Sequence, residues 1–168
     1  MIFVSVGTHE QPFDRLIKYI DNMKKENIVE DEIIIQTGFS TYIPQYCKWE
    51  KLFPYQVMRK QVEKARIVIT HGGPSSFIMP LQVGKVPIVV PRQKQFNEHV
   101  NDHQVEFANQ VAERQGNIIV VNDISKLRST ILDYEYIISN MPTRLQSNNA
   151  VFNQRFEKIV NDIFKERK

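Results

Sequence analysis

The chain has one cysteine, Cys47, in 168 residues. It can build no internal disulfide and no cysteine-rich metal cage. That usage fits a reducing, cytoplasmic setting. No stretch reaches the roughly 18 apolar residues that a membrane-crossing helix needs, so membrane contact is expected to be peripheral or through a partner. Met1-Ile2-Phe3-Val4 opens directly into a strand pattern, without the basic segment and long apolar run of a signal peptide. Lys/Arg blocks and aromatic-rich basic motifs are missing, and the formal net charge is only +3, from 22 basic and 19 acidic residues. Nucleic acid is therefore not an expected partner. No Gly-x-Gly-x-x-Gly turn follows the first strand, which argues against a self-contained UDP-sugar epimerase-like enzyme. No internal repeat, low-complexity tract or flexible linker divides the chain. With 42% apolar and 24% charged residues, residues 1–168 are expected to form one domain around one core.

What is present alternates between strand and helix patterns. Ile2 to Val6 is an apolar run closed by Gly7-Thr8. Leu16, Ile17 and Ile20 follow at helical spacing to about Lys25, and Ile33 to Gln36 is a second strand closed by Thr37-Gly38. Phe39 to Pro54 has no clear period, although Trp49 to Phe53 reads as a short strand. A helix is expected over Tyr55–Lys64, then a strand from Ile67. After Pro91 a helix is expected from about Glu98 to Arg114, closed by Gly116. Ile118 to Val121 is the last strand. Asp123 or Ser125 caps a helix carrying Leu127 and Ile131. A break or a bend is expected over Tyr134–Pro142, then an amphipathic helix over residues 145–166 with Phe152, Phe156 and Phe164 on its apolar stripe. The alternation predicts an α/β fold, a Rossmann-like parallel sheet with helices on both faces.

One stretch organises the rest: Ile67-Val-Ile-Thr-His71-Gly72-Gly73-Pro74-Ser75-Ser76, leading to Gly84 and then Val86-Pro87-Ile88-Val89-Val90-Pro91. It reads as strand, tight turn, helix, strand. Gly72 and Gly73 admit close backbone approach, and Pro74 suits a first helical turn. The free N–H groups of that turn, backed by the helix dipole, are expected to bind a phosphate or diphosphate at residues 72–76. Pro80 predicts a short or kinked helix. A polar cluster follows at Arg92 and Glu98-His99-Val100-Asn101-Asp102-His103-Gln104. Three readings compete. It is a solvated helix start, or a metal site with His99 and His103 at i and i+4, or a set of mixed donors and acceptors for a polyhydroxylated ligand. The His-Glu-x-x-His glutamate and a third ligand are absent, so no metal is expected. The ligand reading is preferred.

These motifs resemble those of one family. They are Ile2-Phe3-Val4-Ser5-Val6-Gly7-Thr8-His9-Glu10-Gln11-Pro12-Phe13-Asp14-Arg15-Leu16, Gln36-Thr37-Gly38, Ile69-Thr70-His71-Gly72-Gly73-Pro74, and Ile88-Val89-Val90-Pro91-Arg92 with Glu98-His99 and Asp102-His103-Gln104. The chain is similar to the nucleotide-sugar-binding half of split GT-B glycosyltransferases, of which the bacterial capsule and exopolysaccharide subunits are the best fit. The eukaryotic donor-binding subunit that makes dolichol-linked chitobiose is another relative. The resemblance implies the C-terminal Rossmann-like domain of a GT-B enzyme. It implies a UDP-sugar as donor substrate, no cofactor, and a separate membrane-associated partner that binds the lipid-linked acceptor. It matches His71, Gly72, Gly73, Pro74, Ser75 and Ser76 to the diphosphate turn. Gln104, in Asp102-His103-Gln104, matches the position that reaches sugar hydroxyls, with Asp102 a further donor-binding candidate, and Arg92, Glu98 and His99 match the loop over the donor. Gly7 and Thr8 match the loop that faces the cleft, and Gly38, closing the second strand, is expected at the same carboxyl edge. Met79 stands where many members carry the acidic residue that binds ribose, so Gln82 or a backbone group is expected to substitute.

Sugar transfer loads negative charge onto the leaving diphosphate, which oriented N–H groups can stabilise without a metal. His71 or Arg92 is expected to assist. The base for the acceptor hydroxyl is expected from the partner or the cleft between the halves, with His9 the local candidate. In a split enzyme the last helix is a candidate partner-docking element. The competing function is a non-catalytic module that stabilises or recruits a membrane-bound partner.

Overall fold

The structure, a computed structural model, describes residues 1–141. Six parallel strands form one sheet in the order β3-β2-β1-β4-β5-β6. They are β1 (Ile2–Ser5), β2 (Ile33–Gln36), β3 (Lys48–Glu50), β4 (Ile67–Thr70), β5 (Ile88–Val89) and β6 (Ile119–Val120). β1, β4 and β5 are buried throughout, which explains their unbroken β-branched runs. Among the described residues six α-helices accompany them: α1 (Asp14–Lys25), α2 (Tyr55–Lys64), α3 (Pro74–Gln82), α4 (His103–Gln115), α5 (Leu127–Leu132) and α6 (Tyr134–Ser139).

Alternation along the strands sorts the core onto two faces. Ile2, Val4, Ile67, Ile69, Ile88 and Val90 meet α1, α5 and α6 through Leu16, Ile20, Ile131 and Tyr134. Phe3 and Val68 meet Val62 of α2, and Val89 meets Phe77 of α3 and Ala108 of α4. The expected α/β architecture is present. Strand order reverses between β1 and β4, and ligands of open parallel sheets bind outside the carboxyl ends at such a point.

Several boundaries differ from the sequence expectation. β3 begins at Lys48 and ends at Glu50, because the Phe53 amide donates to the buried Gln36 side chain at 3.0 Å and turns the chain off the sheet edge. α4 starts at His103, not near Glu98, because Glu98 is drawn into a buried ion pair and Asn97 takes a left-handed φ of 56°. Tyr134–Ser139 is helical where a break or a bend is expected. Tyr134 anchors it, buried and donating its hydroxyl to the Val86 carbonyl at 2.7 Å. α3 is short as expected, nine residues with Pro80 inside. The helix expected over 145–166 lies outside the described residues.

The unperiodic stretch after β2 is a crossover without a helix, held by carboxylates of α1. Asp21, fully buried, accepts the amides of Gln45, Tyr46 and Cys47 at 2.9, 2.9 and 3.0 Å and the Tyr42 hydroxyl at 2.8 Å. Burial alone would raise its pKa. These donors outweigh that and hold it below the usual carboxylate range. Asp14 accepts from the Thr41 and Tyr42 amides at 2.8 and 3.0 Å.

Candidate functional site

A cleft of about 860 Å³ opens at the carboxyl ends of β1 and β4 and runs down between α2 and α3. Its volume is in the range of small-ligand sites. The mouth is polar: Gly7, Thr8, His9, Glu10, His71, Ser75, Ser76 and Gln104. The inner wall is apolar, with Phe3, Met58, Val62, Val68 and Met79. Ser5 and Thr70, register partners on β1 and β4, floor it together with Gln36. Thr70 is 1% exposed and its hydroxyl oxygen has no hydrogen-bond partner.

The histidine of the glycine turn is the centre of the mouth. The His71 ring is buried, and Gly7 and Gly73 make room for it: a Cβ on either glycine would collide with the imidazole. Gly7 also has a φ of +77°, where a side chain is strained. Gly72 makes room for Gln104, whose Cβ would lie 2.8 Å from a Cβ at that position. The glycines thus admit protein side chains, where a ligand was expected. The amides follow suit. Gly72 N–H donates to Gln104 Oε1 at 3.0 Å and Gly73 N–H to His71 Nδ1 at 3.0 Å. The expected pair of free glycine amides is therefore already engaged. What remains open at the helix start is the Ser75 amide, which has no partner among the described residues, and the Ser75 hydroxyl; the Ser76 hydroxyl lines the cleft with its oxygen hydrogen-bonded to His71 Nε2. Burial first, then the Arg92 charge, push the His71 pKa down to about 4, so the ring is neutral at physiological pH.

Gln104 clamps the turn. Its Oε1 accepts from Gly72 and, at 3.3 Å, from the Arg92 amide. Two backbone donors on one oxygen fix the amide orientation and turn its NH₂ group away from them. His9 lines the cleft wall with Nδ1 accepting the Gln11 amide at 3.2 Å. Partial burial first, then Arg92 and His99, lower its pKa.

The charged members of the predicted set lie elsewhere. Arg92 is 0% exposed. Its guanidinium donates to the carbonyls of Val6, Gln11 and Glu98 at 2.9, 2.7 and 3.1 Å and lies 4.9 Å from the Phe13 ring centre. Burial lowers its pKa to about 10, which leaves it cationic. Glu98 is 3% exposed, bidentate to Arg15 at 2.8 and 2.9 Å, and accepts the Gln93 amide at 3.0 Å. The expectation that Arg92 and Glu98 reach over the donor is corrected: both are spent inside the protein, tying the loop after β1 to the loop after β5. His99 precedes α4 and packs against His9, with ring centres 4.9 Å apart. The i, i+4 pairing with His103 on a helix face therefore does not arise. Asp102 is exposed and accepts the Lys94 amide at 2.9 Å, outside the cleft. Gly38, with φ +56°, lets its loop touch the Gly7 carbonyl and also lies outside the cleft.

Sequence reading missed the floor. Ser5 and Thr70 carried a signal, as the polar ends of otherwise apolar strands. The cleft roles of Tyr55, Met58 and Gln36 had none, since they depend on how α2 lies over the sheet.

Two curated proteins are similar to this chain. Both are named UDP-N-acetylglucosamine transferase subunit ALG13. The human one is 32% identical over 119 residues and the mouse one 29% over 118, covering 66% and 65% of this chain. The aligned part is only 10% of each relative's length. Among solved structures, the glycotransferase of kitacinnamycin superposes with TM-score 0.54 at 17% identity, over 79% of this chain and 33% of that one. The calicheamicin glycosyltransferase CalG4 does so with TM-score 0.53 at 13% identity, over 78% and 33%. These two share the fold. Residues 1–163 match the glycosyltransferase family 28 C-terminal domain, and over that span the chain belongs to this family.

Proposed function

We propose that this chain is the UDP-sugar-binding subunit of a two-component inverting glycosyltransferase. It holds the donor while a membrane-associated partner chain binds a lipid-linked oligosaccharide, to which a hexose is added in capsule or exopolysaccharide synthesis. The complex works in the cytoplasm, with this chain peripheral at the inner face of the membrane through its partner. The observation that carries the reading is the cleft itself: an apolar slot for a base and sugar ring, closed at the carboxyl edge by uncharged hydrogen-bond donors at the start of α3. The similarity to a UDP-N-acetylglucosamine transferase subunit supports the nucleotide and the need for a second chain.

In this reading the Ser75 amide, the Ser75 and Ser76 hydroxyls and the α3 dipole face the diphosphate. They stabilise the charge that grows as the anomeric bond breaks. No metal is required. Gln104 offers its free NH₂ to the sugar, and Gln82 to the ribose.

One observation favours the alternative, a module that only stabilises or recruits its partner: the glycine amides already bond within the protein. Calorimetric titration with UDP and several UDP-hexoses separates the two, with and without the partner chain. Saturable binding of UDP that Ser75→Ala and Ser76→Ala weaken supports the donor site. No binding in either state, with partner association intact, leaves the scaffold.

A further inference from the structure

Three histidines near the cleft share one local geometry. His9, His71 and His99 each turn Nδ1 onto the backbone amide two residues ahead: Gln11 at 3.2 Å, Gly73 at 3.0 Å and Asn101 at 3.4 Å. A backbone N–H always donates. A neutral imidazole has one lone pair and one N–H, so Nδ1 must present the lone pair and the proton must sit on Nε2. We infer that His9 and His71 are locked by this contact as neutral Nε2–H donors, that His71 is a positioning residue which aims the Ser76 hydroxyl into the cleft, and that His9 is a donor to the bound ligand and not the base.

At His71 the chain of donors is complete. The Gly73 N–H donates to Nδ1, and Nε2–H donates to Ser76 Oγ. With its oxygen occupied as an acceptor, the Ser76 hydroxyl proton points away from the ring. Ser76 lines the cleft, so that proton faces the ligand space. Gln104 Oε1 also lies 3.4 Å from Nδ1 and could take a proton from it. That arrangement is the weaker one. Gln104 Oε1 already accepts two backbone amides, and a proton on Nδ1 would face the nearer Gly73 N–H head-on.

The same logic fixes His9. His9 lines the cleft, and its Nε2, which has no hydrogen-bond partner among the described residues, carries the hydrogen. Acting as a base through Nε2 would require moving that proton to Nδ1, against the Gln11 N–H. His9 therefore suits an anionic or hydroxylic ligand oxygen. The contact to an anion rests on the proposed donor site; the tautomers do not.

Long-range ¹H–¹⁵N correlation spectra of the ¹⁵N-labelled chain alone read the tautomers directly. Both rings are expected to show a protonated Nε2 and an unprotonated Nδ1 between pH 7 and 8. A protonated Nδ1 at either ring overturns the inference. Calorimetry with UDP reads the link to the ligand. Ser76→Ala is expected to weaken UDP about tenfold, the value of one hydrogen bond to a charged group. His71→Phe should match that loss. His71→Gln, which keeps an amide N–H near the place of Nε2, should restore part of it. Wild-type affinity in Ser76→Ala overturns the donor chain. If the unaltered chain binds no UDP at all, the proposed function fails, while the spectra still decide the tautomers.

Discussion

Two polar clusters flank the carboxyl edge of the sheet, and they differ in kind. Arg92 and Glu98 are charged and buried; Glu98 is closed on the half-buried Arg15, and Arg92 on backbone carbonyls. His71, Ser75, Ser76 and Gln104 are uncharged and line open space. In the sequence the charged group looks the more functional. In the fold it ties two loops together, and the neutral group lines the open cleft. Formal charge is a poor marker of a binding site. Hydrogen-bonding capacity left over after the protein has satisfied itself is the better one.

The largest expected effect tests the closed cluster. Glu98→Ala leaves the Arg15 guanidinium without its carboxylate and the buried Gln93 amide without its acceptor, while the Arg92 bond to the residue-98 carbonyl remains. Breaking a buried pair this way costs about 3–5 kcal/mol. Urea unfolding should show that loss, whereas Ser76→Ala in the open cluster should cost less than about 1 kcal/mol. Equal, small losses would erase the distinction between the clusters.

Next comes acid. The folded-state pKa of His71 is lowered to about 4, from 6.5 in a model peptide. Above pH 6.5 both states are neutral there. Between 6.5 and about 4 only the unfolded chain takes the proton, so stability falls as pH falls across that window. The loss approaches about 3 kcal/mol at its lower end. Urea midpoints at pH 7.5 and 5 check it, and His71→Gln should flatten the slope. Arg92 stays cationic throughout that window.

The glycines divide in a similar way. Gly73 has an ordinary φ of −74°, but a Cβ there meets the His71 ring. Gly84 has a φ of +74° with nothing within 4 Å. Gly73→Ala is expected to cost about 2 kcal/mol by overpacking and to weaken UDP binding by displacing the ring. Gly84→Ala should cost about 1 kcal/mol through backbone strain alone and leave UDP binding unchanged. Comparing the two in one calorimetric and one urea series separates close approach from conformation.

Much of the fold was legible because strands buried on both faces are written as β-branched runs. β2 and α2 were placed residue for residue. The start of α4 was not legible, since it depends on Glu98 finding Arg15, 83 positions away. The crossover after β2 has no period of its own because its order comes from Asp14 and Asp21 on α1. At the candidate site, the glycine turn pointed to the carboxyl edge of the sheet, where the cleft opens. What the glycines make room for was hidden, because it takes the neighbouring strand and α4 to bring Gly7 and Gln104 against the turn.

The smallest effect sharpens the boundary of the open cluster. Asp102 stands two residues before Gln104, yet its carboxylate accepts the Lys94 amide in an exposed loop outside the cleft. Asp102→Ala frees that amide to water, so the cost should be under about 1 kcal/mol. UDP affinity should not change, because the clamp on Gly72 and Arg92 is made by Gln104 alone. Gln104→Ala provides the contrast: it removes the acceptor of two amides and should loosen the turn and weaken UDP together. An affinity loss in Asp102→Ala comparable to that of Gln104→Ala would mean the loop over residues 94–102 takes part in holding the ligand, and the division between a closed and an open cluster would have to be redrawn around it.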